Sequence, residues 1–195
     1  MQPVQPGSTK EIEITNAFKI GEYWVKPKPT FELNSLREKS GDTLLLVTCS
    51  DFVYFPFGEI NTKSDLQSSK LKNFKILDKN ETITNDVVEF QILTYNSSKL
   101  ILFFADDTEA SKHSYIFKGE ISDENVRLND GIMIGMTKED FFSSFFHDFP
   151  KELINKYKFV VFESCVQDIK HTYTFNGDKL QSINFITDSN WNVNF

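Results

Sequence analysis

The sequence predicts an α+β fold in which helices cover one face of an antiparallel sheet. Most segments between turn signals are short and rich in β-branched and aromatic residues, which is typical of strands. Two segments instead carry helix-start signals, and the second continues with Phe residues at helical spacing. Strand-like segments follow each helix in runs, and this order favours α+β over an alternating βαβ arrangement.

The composition is that of a folded chain with a large apolar core. The chain has 195 residues, of which 39% are apolar and 20 are Phe, and each large aromatic side chain buries much area. This length suits one large domain or two small, closely packed ones. We predict a flexible tether (1–10), a β-rich N-terminal segment (11–60), a first repeat (61–129) and a second repeat (130–195).

The charge of the chain argues against several partners. The 28 acidic residues outnumber the 21 basic ones, and the formal net charge is -7. Nucleic-acid binders cluster Lys and Arg, and the sequence has no basic run. No apolar run approaches the ~20 residues of a membrane-spanning helix, and the glycine-rich phosphate-binding motifs are absent. We therefore expect no nucleic acid, no transmembrane segment and no cofactor.

The first residues bear on where the protein works. The stretch MQPVQPGSTKEIEI has no basic region followed by an apolar one, so it is not a signal peptide. The native protein is then either cytoplasmic, or a mature chain whose signal has been replaced by Met1. A polar start rich in Pro, Gly, Ser and Thr is typical of the tether after an export or lipoprotein signal. We expect the periplasm or outer membrane, with a lipid anchor on the native N-terminus as one form of attachment.

Strands are predicted through most of the N-terminal segment. Ile12 and Ile14 alternate with charged residues, and GEYWV is aromatic and β-branched. The two prolines of KPKPT break the chain. The stretch DTLLLVTCSDFVYFPF then predicts one or two further strands.

Four aromatic residues in that stretch are the candidate partner-binding residues. Phe52, Tyr54, Phe55 and Phe57 cannot all point inward from one strand. Either both faces of the strand are covered, or the four form an exposed aromatic patch that binds a protein partner.

The first helix signal is NTKSDLQSSKLKNF. Thr62 is the predicted N-cap and Asp65 stands three residues later, as in a capping box. Leu66, Leu71 and Phe74 would lie along one side of this helix.

The second helix signal, GMTKEDFFSSFFHDFP, is stronger. Thr137 is the predicted N-cap with Asp140 at the third helical position, and Met136 and Phe141 fit a hydrophobic staple. Pro150 is expected to end the helix. An apolar stripe follows the cap: Phe141, Phe142, Phe145, Phe146 and Phe149.

Strand-like segments follow both helices, and parts of them repeat. TKSDLQSSKLKNF (62–74) aligns with TKEDFFSSFFHDF (137–149), and KLILFF…KHSYIFKGE (99–120) aligns with KFVVFE…KHTYTFNGD (158–178) after one gap. Because the matches keep their order along the chain, we predict a duplicated unit of a helix and antiparallel hairpins. A hairpin turn is predicted at FNGD, and WNVNF alternates like a last strand.

The second repeat resembles a known family. IGMTKEDFF (134–142), followed by HTYTFNGDKLQSINF (171–185), resembles the β-lactamase-inhibitor-protein-like fold that small outer-membrane lipoproteins of the BamE type share. In that family a Gly-Met-Ser/Thr-Lys-Glu-Glu cap opens a helix, and a strand and turn follow. The matching residues are Gly135, Met136, Thr137, Lys138, Glu139 and Asp140 in the cap and Phe175, Gly177, Lys179, Leu180, Ile183 and Phe185 in the strand and turn.

The resemblance implies an exported, non-enzymatic, protein-binding module. It covers 130–188 well and 62–121 loosely, and 1–60 have no counterpart. The helix here ends in HDFP, whereas that of the family usually ends in Gly-x-Pro. No binding residue carries over, because the contact positions of the inhibitor form no motif in this chain.

The two repeated histidines are the first candidates for catalysis. In an extended strand His171 shares a face with Tyr173 and Phe175, and His113 has the same neighbours in KHSYIFKGE. A His flanked in this way is more often hydrogen-bonded and half-buried than catalytic, so we expect no catalytic residue.

Cysteine and metal chemistry have little support in the sequence. Cys49 and Cys165 lack a ligand spacing, and we expect two buried free thiols; in an exported protein they could pair. A nucleophile made of Cys165 and His171 has no supporting motif. The acidic stretch with Asp106, Asp107, Glu109 and His113 lacks the fixed spacing and glycine of a calcium loop, so no metal site is expected.

Three functions follow from these observations. The first is a non-enzymatic binding or scaffold protein of the bacterial cell envelope with an unidentified protein partner. The second is a cytosolic acidic binding protein, such as a toxin-neutralising immunity protein, whose charge would attract a basic partner. The third, less favoured, is a hydrolase with a Cys/His or acidic site.

Overall fold

A computed structural model describes residues 17–83, 86–104, 114–166 and 168–187. Several predictions concern residues outside these ranges: the tether, the strand around Ile12 and Ile14, the acidic stretch that includes His113, and the C-terminal WNVNF. They stay predictions.

The described residues form twelve strands and three short helices. The strands are β1 (Phe18–Ile20), β2 (Tyr23–Pro27), β3 (Leu33–Ser40), β4 (Thr43–Thr48), β5 (Lys75–Ile83), β6 (Asp86–Tyr95), β7 (Ser98–Leu102), β8 (Ile116–Ile121), β9 (Phe146–Asp148), β10 (Phe159–Ser164), β11 (Ile169–Asn176) and β12 (Lys179–Thr187). The helices are α1 (Asp51–Tyr54), α2 (Lys138–Phe145) and α3 (Lys151–Lys156), with 3-10 turns at Lys63–Gln67 and Asn129–Gly131. The fold is therefore mixed α+β and mostly sheet, as predicted.

One large sheet organises the molecule. Its nine strands lie in the order β3-β4-β10-β11-β12-β8-β7-β6-β5, and β1-β2-β9 form a separate small sheet. Every pair in the large sheet is antiparallel except β4 with β10, which run parallel. The parallel pair joins the N-terminal strands directly to the last part of the chain.

The main core lies on one face of this sheet. Strand β11 shows the alternation that a sheet with one covered face requires, with Ile169, His171, Tyr173 and Phe175 buried and the residues between them less so. Rings from α1 and α2 pack on this face: the centroid of Phe141 lies 4.9 Å from that of Tyr173. The core cluster includes residues from Ile20 to Phe185, so the segments predicted from sequence share one apolar interior.

A second, smaller cluster lies apart from the main core. It consists of Phe90 on β6, Ile101 on β7 and Phe117 on β8, all buried.

No helix within the described ranges has the length and apolar character needed to cross a membrane.

The prediction of one or two strands in 42–57 is wrong for the second half of that stretch. Strand β4 ends at Thr48, and α1 follows at Asp51–Tyr54 with Ser50 as its N-cap. Consecutive residues of a strand point to opposite faces, whereas one helical turn lets Phe52, Val53 and Tyr54 all be buried.

Both predicted helices are shorter than the apolar spacing suggested. The first is only the 3-10 turn at Lys63–Gln67, although the Asp65 carboxylate does accept hydrogen bonds from the backbone N–H groups of Asn61 and Thr62 at 3.0 and 2.9 Å. Ser68 and Ser69 donate their hydroxyls to carbonyls of that turn. Such local bonds compete with helix continuation.

The predicted cap of the second helix is confirmed, but its end is not. The Asp140 N–H donates to Thr137 Oγ1 at 3.0 Å. Helix α2 stops at Phe145, and Phe146 enters β9 to pair with Pro27. Pro150 then stands at the N-cap of α3 rather than at the end of α2, in keeping with the tolerance of helix starts for Pro.

The expectation of two free thiols is wrong. Cys49 and Cys165 form a disulfide, with their Cα atoms 5.2 Å apart and a sequence separation of 116. The parallel register sets Thr48 opposite Ser164. Each cysteine directly follows one of these residues, so both lie at the C-terminal ends of the paired strands. Geometry that only the strand pairing creates thus brings the two sulfurs together.

Candidate functional site

A cleft of about 630 Å³ beside the disulfide is the candidate site. Four chain segments line it: the loop between β2 and β3, the start of α1, the 3-10 turn at Asn129–Gly131, and the C-terminal end of α2. The lining residues are Pro29, Thr30, Phe31, Glu32, Cys49, Ser50, Asp51, Phe52, Asn129, Asp130, Ser144 and Phe145.

Hydrogen bonds join the loop between β2 and β3 to the start of α1. The Glu32 N–H donates to Ser50 Oγ at 2.8 Å, and Thr48 Oγ1 donates to the Glu32 carbonyl at 2.5 Å. The Ser50 N–H in turn donates to Thr48 Oγ1 at 3.0 Å. Because backbone groups take part, the position of Glu32 is fixed relative to α1.

Hydrogen bonds also fix the C-terminal end of α2 and the 3-10 turn at Asn129–Gly131 to neighbouring segments. The Lys28 N–H donates to the carbonyl of Phe145, the last residue of α2, at 2.8 Å. Asn129 donates its backbone N–H to the Pro56 carbonyl at 2.7 Å and its side-chain amide to the Phe55 carbonyl at 2.8 Å. The cleft is therefore a preformed feature of the fold.

Aromatic rings form the floor of the cleft. The centroid of Phe145 lies 4.9 Å from that of Phe31 and 5.1 Å from that of Phe52. All three side chains are buried in the core, so the floor is rigid and apolar.

Three carboxylates stand around this floor. Glu32, Asp51 and Asp130 are exposed residues that line the cleft. Asp130 has a backbone φ of 57°, in the left-handed region that few residues other than Gly adopt. Such a conformation costs of order 1–3 kcal/mol and is found at functional sites. The C-terminal end of α2 adds the negative end of its dipole.

One cation lies close to this acidic group. Lys70 Nζ donates to the Leu128 carbonyl at 3.0 Å and to Asn129 Oδ1 at 2.7 Å. Burial lowers the pKa of Lys70, and the Asp130 carboxylate opposes that change. Lys70 thus supports the 3-10 turn and is not one of the lining residues.

Two buried polar side chains lie behind the floor. His171 and Tyr173 neighbour Phe52, with ring centroids 6.3 and 6.4 Å from it. Neither His171 Nδ1 nor the Tyr173 hydroxyl has a hydrogen-bond partner within the described residues. Burial, and to a lesser degree the charge of Asp130, holds the pKa of Tyr173 well above its ordinary value.

This arrangement suits an organic cation. Carboxylates attract a positive group, and phenylalanine side chains line the same cleft for the apolar part of such a ligand. Among the described residues, no group of three or more His, Cys, Asp or Glu side chains is arranged to hold a metal ion.

The four candidate partner-binding aromatic residues are not exposed. Phe52, Tyr54 and Phe57 are 5%, 0% and 2% exposed, and Phe55 is partly buried against the core. Of the two alternatives for this stretch, the covered arrangement is the one that the structure shows. Phe52 nevertheless reaches the floor of the cleft, and whether any of the four contacts a partner stays a prediction.

The Cys165–His171 nucleophile considered from sequence has no free thiol, because Cys165 is in the disulfide. His171 itself is 1% exposed rather than half-buried. Burial lowers its pKa to about 3, so the imidazole is neutral at physiological pH.

The cleft carboxylates were not predicted from sequence. Glu32, Asp51 and Asp130 are far apart along the chain and belong to no shared motif. The one local signal is NDG at 129–131, a turn-forming triplet. It would have marked a turn, but not its position beside the other two acids.

Comparisons with known proteins leave the family open. No protein-family model, curated protein or solved structure matches this chain. The resemblance to the β-lactamase-inhibitor-protein-like fold is neither supported nor refuted by them, so it stays a hypothesis drawn from the cap and turn residues.

Proposed function

We propose that this is a non-enzymatic binding protein whose cleft takes a basic side chain, Arg or Lys, from a protein partner. The observation that carries the proposal is the cleft itself, which Glu32, Asp51 and Asp130 line together with Phe31, Phe52 and Phe145. A guanidinium or ammonium group would meet the charge of the acidic residues, and the methylene groups of its side chain would contact the phenylalanine residues.

The charge of the whole chain supports the same kind of partner. A net charge of -7 attracts a basic protein from a distance and raises the association rate. Within the cleft, hydrogen bonds fix the backbone of the segments that carry Glu32 and Asp130 before binding, which lowers the entropy cost of association.

The disulfide supports the cell-envelope location over the cytoplasm. Disulfides persist in exported proteins and are rare in the reducing cytosol. Cys49–Cys165 joins the two parallel strands at the cleft, so the bond belongs to the folded architecture. The lipid anchor and the choice between periplasm and outer membrane rest on the character of the N-terminal sequence alone.

The two other functions considered from sequence have less support. A cytosolic immunity protein would also use acidic charge, but the disulfide favours an oxidising compartment. A hydrolase with a Cys/His site would need the thiol of Cys165, which is bonded to Cys49.

The duplicated unit is retained as an inference from sequence. Strands β8 and β11, which carry the two related phrases, both pair with β12 and flank it. Their residues have different surroundings, however: Phe175 lies in the main core, whereas Phe117 lies in the second cluster. The binding proposal does not depend on the duplication.

The proposal is tested by titrating the protein with N-acetyl-arginine amide and, separately, with the neutral N-acetyl-norleucine amide. Backbone amide shifts of Ser50, Asp51 and Asp130 are followed by NMR. We expect saturable shifts with the arginine compound only. Because each carboxylate interaction is worth on the order of 1 kcal/mol, D130N and E32Q should each weaken binding about fivefold.

The matched control is Glu124→Gln, which removes one charge from an exposed residue outside the cleft. It should leave the dissociation constant within about twofold of the wild-type value. Equal weakening of arginine binding by E124Q and D130N would show that only the net charge of the protein matters and would contradict the proposal. Equal binding of the norleucine compound would also contradict it.

A further inference from the structure

A second cavity of about 410 Å³ opens on a different part of the surface. It lies where the start of α2, the end of α3, the start of β10 and the turn between β11 and β12 meet. Lys138, Lys156 and Lys158 line it, together with Phe175 and the turn residues Gly177 and Asp178. Three lysines around one cavity stand out in a chain with a net charge of -7.

Lys138 is the central residue of this cavity. Its residue surface is 6% exposed, although Lys is rarely buried without a partner. Within the described residues its ammonium makes no hydrogen bond and no ion pair, and its neighbour is the ring of Phe175, 5.7 Å from Nζ to the centroid. Burial lowers its pKa, and the charge of Asp178 opposes that change.

The other two lysines bring further positive charge from separate elements. Lys156 Nζ donates to Glu38 Oε1 at 2.5 Å, and the Tyr157 hydroxyl donates to the same oxygen. Lys158 Nζ lies 5.2 Å from the ring centroid of Phe159 and has no carboxylate within ion-pair distance in the described part of the chain. Among the described residues, two of the three ammonium groups therefore lack an anionic contact.

We propose that this cavity binds a phosphate group, either as inorganic phosphate or as a phosphate monoester. An oxyanion seated between Lys138 and Lys158 would neutralise two positive charges that no carboxylate contacts among the described residues. Ammonium groups with three rotatable donors each, set on different elements, suit a tetrahedral anion better than a planar carboxylate. The cavity is also large enough for a small organic group attached to the phosphate.

Asp178 limits which anions fit. Its carboxylate lines the same cavity and repels a fully ionised anion, but it can accept a hydrogen bond from the P–OH of a hydrogen phosphate. Sulfate has no such proton at neutral pH, so phosphate should be preferred to sulfate.

The test is a calorimetric titration of the whole chain with inorganic phosphate and, separately, with glycerol 3-phosphate and sulfate, all at constant ionic strength. We expect at least one phosphate compound to bind in the millimolar range or tighter, and about tenfold better than sulfate. Saturable binding of inorganic phosphate but not of glycerol 3-phosphate would identify the free anion as the ligand. Stronger binding of glycerol 3-phosphate would identify a phosphate monoester as the ligand. Either result supports the proposal.

Lys138→Gln should weaken phosphate binding at least tenfold, and Lys158→Gln should weaken it severalfold. The matched control is Lys179→Gln, which removes the same charge from an exposed residue of the same hairpin outside the cavity, and it should bind as the wild type does. If K138Q does not fold, the phosphate affinity of K158Q compared with that of K179Q tests the proposal. Absence of binding by both phosphate compounds, equal binding of sulfate, or equal losses in K179Q and K158Q would overturn the proposal.

Discussion

The imidazole of His171 packs edge-on against the ring of Phe185, with centroids 4.7 Å apart, and its Nδ1 meets no hydrogen-bond donor or acceptor within the described residues. The strand alternation of β11 directs this side chain into the aromatic core behind the cleft floor. A titratable group in such surroundings links the stability of the fold to pH.

We expect the protein to lose stability as the pH falls from 7 to 5. Burial lowers the pKa of His171 from 6.5 to about 3 in the folded state. Above pH 6.5 both states are neutral, but below it the unfolded chain binds a proton that the folded chain does not. The free energy of unfolding should then fall by about 1.4 kcal/mol per pH unit, which urea denaturation at several pH values measures.

Two variants isolate this effect. His171→Leu should reduce the stability difference between pH 7 and pH 5 by about 2 kcal/mol relative to wild type, since its side chain cannot titrate. His147→Gln, at an exposed residue of β9, should not change the difference. An unchanged pH dependence in H171L would show that His171 is not the group responsible.

Removal of the disulfide should destabilise the fold. The Cys49–Cys165 bond closes a loop across 116 residues of sequence, which restricts the unfolded chain. The double variant C49A/C165A should lose about 2–5 kcal/mol of unfolding free energy. Wild-type protein treated with reductant should show a similar loss, whereas reductant should not affect the double variant. Equal stability of oxidised and reduced wild type would contradict this prediction.

Gly119→Ala should be strongly destabilising. A Cβ at this position in β8 would stand 2.4 Å from the Lys99 carbonyl oxygen and 2.8 Å from Leu100 Cα, both backbone atoms of β7. Because the two strands would have to separate, we expect a loss of about 2–3 kcal/mol. Gly41→Ala is the control, since nothing lies within 4 Å of the position that its methyl group would occupy, and its effect should stay within about 0.5 kcal/mol. Similar thermal midpoints for G119A and G41A would refute the close-approach argument.

Thr137→Ala should weaken the start of α2. It removes the Oγ1 acceptor that holds the Asp140 N–H at 3.0 Å, and such a cap is worth about 1 kcal/mol. Thr137→Ser keeps the hydroxyl and should restore most of that stability. Chemical denaturation of both variants measures the difference, and equal losses in T137A and T137S would argue against the cap as its cause.

Local signals predicted the parts of the fold that depend on neighbouring residues. The Thr137–Asp140 cap and the shared face of His171, Tyr173 and Phe175 in β11 are examples, because both follow from a few consecutive side chains. The helix lengths were overestimated for a related reason. Apolar spacing continued to Phe149, but hydroxyl-to-carbonyl bonds from Ser143 and Ser144 at the end of α2 and the pairing of Phe146 with Pro27 ended the helix earlier.

The two repeated phrases show the limit of such signals. KHSYIFKGE and KHTYTFNGD are closely similar, yet Gly119 lies within β8, while Gly177 forms the turn before β12 with a φ of 58°. The same residue type thus meets a neighbouring strand in one phrase and supplies a positive φ in the other.

The sequence by itself determined the α+β class, the acidic charge, the helix cap and which residues of β11 share a face. Each of these depends on composition or on residues a few positions apart. Only the tertiary structure decided that Cys49 bonds Cys165, that Glu32 and Asp130 share a cleft, and that Lys138 and Lys158 share a cavity. Those contacts depend on the parallel pairing of β4 with β10 and on the meeting of distant loops, and no local pattern of side chains encodes which strands become neighbours.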